Sequence, residues 1–189
     1  MAGQESHPMK PLILSVFAAV FSLPLSAALP VVPAPPAQQK EMLKSNDPKL
    51  AVNKKIAYDF FRIVLLGRRL ELAEQFMHND YMQHNPNAET GIAGFRAYFS
   101  ALPGGPQPIP DTIPGLVAIQ AEGDYVTMSF VREYDDPAEP GKKYTTTWFD
   151  MFRITDGKVA EHWDSAMKGG TGPVAAAAQP AKPAPAKAK

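Results

Sequence analysis

The 189-residue chain contains no cysteine. That absence excludes a disulfide framework, a thiolate metal site, a thiol nucleophile and a lipid-modified cysteine, so stability has to come from packing. Basic runs are lacking too. Residues 47–168 hold 13 Lys and Arg against 17 Asp and Glu, a balance of −4, which removes nucleic acid as an expected partner. No Gly-x-Gly-x-x-Gly, phosphate loop or nucleophile elbow occurs, and no His-x-His or His-x-x-x-His spacing joins the histidines. Nucleotide, serine-hydrolase and metal chemistry therefore find no motif, and neither metal nor cofactor is expected.

What the chain does have is proline, unevenly placed. Of 20 prolines, seven fall between Pro8 and Pro36 and four between Pro173 and Pro185. Residues 11–28 are apolar and uncharged, with Pro24 followed by small residues at Ser26 and Ala28, and read as a secretory signal cleaved after Ala28. The expected location is outside the cytoplasm, periplasmic or secreted, with membrane attachment only if the signal is retained. Residues 29–46 read as a Pro-rich spacer and residues 169–189 as a solvated Gly, Ala, Pro and Lys tail. That leaves residues 47–168 as one domain.

Within it, Asp47-Pro48 gives an N-cap and a first-turn proline, and apolar residues at helical spacing predict a helix over 48–66 closed by a left-handed Gly67. A second helix is predicted over 68–77. Tyr81 to Pro86 reads as a short extended segment, and Thr90 caps a third helix carrying Phe95 and Phe99. Beyond the Pro103–Pro110 loop the period changes to two, predicting strands over 113–122, 125–134, 144–155 and 158–164. Helices followed by an antiparallel sheet make an α+β fold with a pocket between the two layers. Val126, Met128 and Phe130 are read as an outer sheet face through which a homodimer forms.

The last strand, Glu161-His162-Trp163-Asp164, carries the chemistry-bearing residues. Alternation puts His162 and Asp164 on one face and Glu161 with Trp163 on the other. If Thr155-Asp156-Gly157 forms a three-residue turn, Asp150 joins His162 and Asp164. A two-residue Asp156-Gly157 turn instead pairs Asp150 with Trp163 and dissolves the cluster.

The spacing of Tyr81-Met82-Gln83-His84-Asn85-Pro86, Gly91, Gly94-Phe95-Arg96, Phe152-Arg153, Asp156-Gly157-Lys158 and Glu161-His162-Trp163-Asp164 resembles the SnoaL-like proteins of the nuclear transport factor 2-like superfamily. The resemblance implies a cone of three N-terminal helices on a strongly curved antiparallel or mixed sheet, with His162 and Asp164 facing inward. It also implies cofactor-free proton abstraction beside a carbonyl, with aldol-type ring closure or isomerisation of a small apolar carbonyl compound. Asp164 is then the general base or acid, and His162 or His84 polarises the oxyanion. Tyr81, Asn85, Phe99, Arg132, Trp148 and Asp150 would contact substrate. Two further readings stay open: an epoxide-hydrolase set of Arg132, Asp150 and Asp164, and a non-catalytic ligand-binding or assembly module.

Overall fold

The computed structural model describes residues 29–169; the stretch expected to be a signal, residues 1–28, and nearly all of the C-terminal tail lie outside the described residues. Two helices open the described chain, α1 (Pro36–Met42) and α2 (Pro48–Asp59). The cap is as the sequence indicates: Asp47 accepts the Lys49 N–H at 2.8 Å and Pro48 occupies the first turn. Helix α2 then widens into a π-helical segment, Phe60–Leu66, which turns Phe60, Phe61, Val64 and Leu65 into the core.

Gly67 does not take the left-handed conformation: its φ is −71°, and Arg68 carries the positive φ of 54°. Space, not backbone freedom, explains the glycine, because a Cβ there would sit 2.6 Å from the Ile63 carbonyl oxygen and 3.0 Å from Ile109 Cγ1. Gly67→Ala is therefore expected to lower stability by about 1–3 kcal/mol, where the same change at an unhindered site with this φ raises it by about 0.4–1 kcal/mol. Thermal unfolding reads the sign directly. Arg68 is buried and donates to the carbonyls of Leu102 and Gly104, clamping the proline-rich loop.

The expected second helix is only a 3₁₀ turn, Leu70–Leu72, and one α turn, α3 (Ala73–Phe76), because Met77 already begins β1 (Met77–Gln83). Helix α4 (Gly91–Ala101) follows, then β2 (Leu116–Glu122), β3 (Tyr125–Asp135), β4 (Lys143–Thr155) and β5 (Lys158–Asp164). The sheet order is β1-β5-β4-β3-β2, with β1 parallel to β5 and every other pair antiparallel. The fold is α+β, a helical layer closed against a mixed sheet.

Two expectations are corrected. Val126, Met128 and Phe130 are core residues, and Phe61 stacks on Phe130 at 4.6 Å; the outer face of the sheet carries Tyr125, Phe149 and Trp163 instead. Residues 29–46 are not a plain spacer, since α1 docks on the domain through buried Gln39. Its amide donates to the carbonyls of Ala34 and Ile113 and accepts from Ile113 N–H and the Tyr58 hydroxyl, so every polar group is used. Lys54 reaches back to the carbonyls of Met42 and Lys44, and its burial pushes its pKa down.

Candidate functional site

The β4–β5 hairpin decides what the site contains. Thr155 pairs with Lys158 across the two-residue turn Asp156-Gly157, both residues at positive φ, 50° and 71°. A regular ladder from that turn would put His162 and Asp164 on the outside. It is not regular. Ile154 pairs with Val159 but Arg153 pairs with Glu161, so Ala160 is an extra, bulged residue. The bulge restores the inward parity, bringing Phe152 opposite His162 and Asp150 opposite Asp164. The short turn and the acid-histidine cluster thus coexist.

Asp150 is 6 % exposed, and its Oδ1 lies 3.0 Å from His162 Nε2. The other ring nitrogen, Nδ1, is 2.9 Å from Gln83 Oε1 on the adjacent strand β1. Asp164 accepts the Asn85 side-chain N–H at 2.6 Å and the Ala166 backbone N–H at 2.9 Å, one at each oxygen. Asn85 is itself oriented by its Oδ1, which accepts Asn87 N–H at 2.8 Å. These groups form the polar end of a cavity of about 50 Å3, several times the 10–15 Å3 or so that one water occupies. Its other walls are Phe60, Phe61, Leu65, Phe95, Tyr98, Phe99 and Phe152. Phe152 stacks on the His162 ring at 4.9 Å and meets Phe60 edge-on at 5.8 Å.

Tyr81 and Tyr98 also line the cavity. Burial pushes the pKa of both phenols up, and the negative charge of Asp164 adds to it, so each keeps its hydrogen at neutral pH as a donor.

Of the residues singled out from the sequence, Asp164, His162, Asp150, Asn85, Tyr81 and Phe99 line this cavity, and His84, Trp148 and Arg132 do not. His84 lies one residue past Gln83 and points the other way: its Nε2 meets Glu161 Oε1 at 2.7 Å and its ring stacks on Trp163 at 4.9 Å. Burial alone would raise the Glu161 pKa, but the bonds and charges of His84 and Arg153 outweigh it and leave the carboxyl below its ordinary range. Trp148 is a core residue two positions before Asp150, and Arg132 lies over the rings of Trp148 and Tyr134, 5.4 Å from each centroid. The epoxide-hydrolase set of Arg132, Asp150 and Asp164 is therefore not assembled. Asn85 does reach the cavity, but its amide is committed to Asp164, which it positions.

Sequence reasoning missed Gln83 and Tyr98. Gln83 stands beside His84 in the stretch from Tyr81 to Pro86, and strand alternation from buried Tyr81 marks it as inward. Asp150, His162 and Asp164 offer ligand atoms within 4.8 Å of one another, the donor set that a cation would need. His162 spends both ring nitrogens, on Gln83 and on Asp150, so it could ligate an ion only by giving up one of these bonds.

The sequence model of a SnoaL-like domain matches residues 57–162. No curated protein sequence matches the chain. Among solved structures, TsrD from Streptomyces laurentii is 21 % identical over 64 % of this chain and 90 % of its own, with a TM-score of 0.41. A proposed polyketide cyclase from Acidithiobacillus ferrooxidans is 20 % identical over 64 % and 89 %, with a TM-score of 0.44. An LEH-like epoxide hydrolase from M. tuberculosis is 12 % identical over 60 % and 80 %, with a TM-score of 0.42.

Proposed function

The chain belongs to the SnoaL-like domain family, and from that premise we propose that its cavity binds a small carbonyl compound and moves a proton on it without a cofactor. The observation that carries the proposal is the meeting of Asp164, His162 and Asp150 at the end of an otherwise aromatic cavity. Asp164 holds two N–H donors and retains lone pairs toward the cavity, which suits it to take a proton from the carbon beside a carbonyl. The electron pair of that C–H bond moves onto the carbonyl oxygen. The Tyr98 hydroxyl then donates to the developing enolate, and the proton held between His162 and Asp150 lies beside it as a fixed positive charge. Returning the proton to a different carbon completes an isomerisation. Attack of the enolate carbon on a second carbonyl, with proton transfer to the new alkoxide, completes an aldol closure. Neither consumes an oxidant or reductant.

The cavity sets the scale of the substrate. At about 50 Å3, against the roughly 150 Å3 of a cavity that holds one benzene, it suits a short acyl chain better than a ring. The test is hydrogen exchange: incubated with small ketones in deuterated water, the protein should accelerate loss of the proton beside the carbonyl. No acceleration with any ketone that binds the cavity would overturn the proposal.

Export and self-association are part of the same proposal. The apolar run over residues 11–28 supports export, and N-terminal sequencing of the protein recovered from its host should begin at Leu29. An intact Met1 end would remove cleavage. The outer sheet face supports pairing with a second copy, since Phe149 is 51 % exposed and Tyr125 packs near Trp163 with centroids 6.0 Å apart. Sedimentation at micromolar concentration should give a dimer, and a monomer would overturn it.

A further inference from the structure

We infer that Gln83 is a positioning residue that fixes the tautomer of His162 and thereby confines one transferable proton to the His162–Asp150 contact; the catalytic use of that proton rests on the proton-transfer reading above. The inference follows from hydrogen-bond accounting. An amide side chain has a donor end and an acceptor end, and a backbone N–H donates only. The Asn85 backbone N–H points at one Gln83 side-chain atom at 3.0 Å, so that atom is the oxygen, Oε1. The same Oε1 is the partner of His162 Nδ1 at 2.9 Å. An acceptor facing Nδ1 requires that Nδ1 carry a hydrogen, because which ring nitrogen is protonated is set by the bond the other makes.

With Nδ1–H fixed, the opposite side of the ring is constrained too. Nε2 and Asp150 Oδ1 lie 3.0 Å apart, and the contact is a hydrogen bond only if one proton sits between them. That proton is shared by a histidine nitrogen and a carboxylate oxygen that are both largely buried, beside the cavity that both residues line. Had Gln83 presented its nitrogen instead, His162 would have placed its hydrogen on Nε2 and served only as a fixed donor to Asp150.

Gln83 is itself held on every side. Its Nε2 donates to the buried Tyr81 hydroxyl at 2.9 Å, and its backbone N–H donates to Thr90 Oγ1 at 3.2 Å. Thr90 stands at the N-cap of α4 but makes no side-chain cap bond there; its hydroxyl is turned to Gln83 instead. The orientation of the side-chain amide is thus specified by Asn85 and Tyr81, while Thr90 anchors the backbone that carries it.

The test is 15N NMR of the histidine ring in the full chain, with the His162 signals assigned by their loss in His162→Asn. In the wild type Nδ1 should give the signal of a protonated nitrogen. Gln83→Leu, or Gln83→Met if the leucine variant does not fold, removes the acceptor, and Nδ1 should lose its hydrogen. Gln83→Glu keeps an acceptor at the same place and should restore the Nδ1–H form. A wild-type Nδ1 without hydrogen, or an apolar variant that keeps Nδ1–H, would overturn the assignment. Because this readout needs no substrate, it stands apart from the proton-transfer reading, which fails separately if no carbonyl compound exchanges its proton. Where exchange is observed, Gln83→Leu should lower kcat by about ten-fold or more with KM little changed, and Gln83→Glu should recover most of it.

Discussion

Asp164→Asn is expected to lower proton exchange on a bound ketone by about 10²–10⁴, the span that a positioned general base supplies. The substitution also has a structural cost that can be foreseen. Both Asp164 oxygens accept N–H donors, from Asn85 and from Ala166, so an amide at this position must turn its own N–H₂ toward one of them. The Asn85 amide cannot rotate to relieve this, since Asn87 N–H holds its oxygen. A loss of about 1–3 kcal/mol follows from the donor left without an acceptor. The double variant Asn85→Asp with Asp164→Asn separates the two effects. It exchanges amide and carboxylate across the 2.6 Å bond, restoring a donor-acceptor match while moving the carboxylate off the β5 end. It should recover thermal stability and stay inactive. Exchange rates unchanged in Asp164→Asn would remove Asp164 from the base position.

The sequence carried most of the architecture because the period changes are strong and the caps chemically explicit: Asp47-Pro48 at α2, Asp156-Gly157 at the last hairpin. It failed where one residue alters parity. Deciding the inward face of β5 by turn length assumed a regular ladder, and the bulge at Ala160 breaks that assumption without a glycine to announce it. One signal was present. Val159 and Ala160 are adjacent apolar residues, both buried, in a strand that otherwise alternates, and two inward residues in succession require an irregularity. His84 and Gln83 show the same sensitivity on β1. They are neighbours in one motif, so the strand sends only one of them to the cavity, and the histidine went outward to Glu161 and Trp163. At Gly67 residue type was legible but its reason was not, because the constraint is a carbonyl oxygen of the preceding turn and the proline-rich loop, which no local pattern reports. The docked helix α1 was hidden by its prolines. Its main polar anchor is a glutamine whose partners, Ala34, Tyr58 and Ile113, are up to 74 residues away.

Phe152→Ala should be the most destabilising single substitution among the cavity walls. Phe152 is fully buried, on the central strand β4, and in contact with both layers: its ring meets Phe60 of the π-helical segment at 78° and lies against His162 of β5 at 25°. Truncation removes the transferred apolar area and leaves a hole bounded by a sheet that cannot collapse, which costs about 3–5 kcal/mol. Against a total stability of about 5–15 kcal/mol, and at about 2–4 °C per kcal/mol for a domain of this size, the midpoint should fall by about 6–20 °C. Phe152→Leu keeps most of the volume and should cost about half as much or less. The two variants also distinguish packing from chemistry. If Phe152 only fills space, exchange activity should follow stability, with the leucine variant near wild type. If its ring additionally holds the imidazole between Gln83 and Asp150, the leucine variant should be nearly as stable as wild type yet lose kcat, because an aliphatic side chain fills the volume without a flat face for His162 to rest on. A midpoint for Phe152→Ala within about 3 °C of wild type would show that the helical layer is not packed on the sheet at this point. The cavity beside Asp164 would then lack the dry wall on which the proposed chemistry depends.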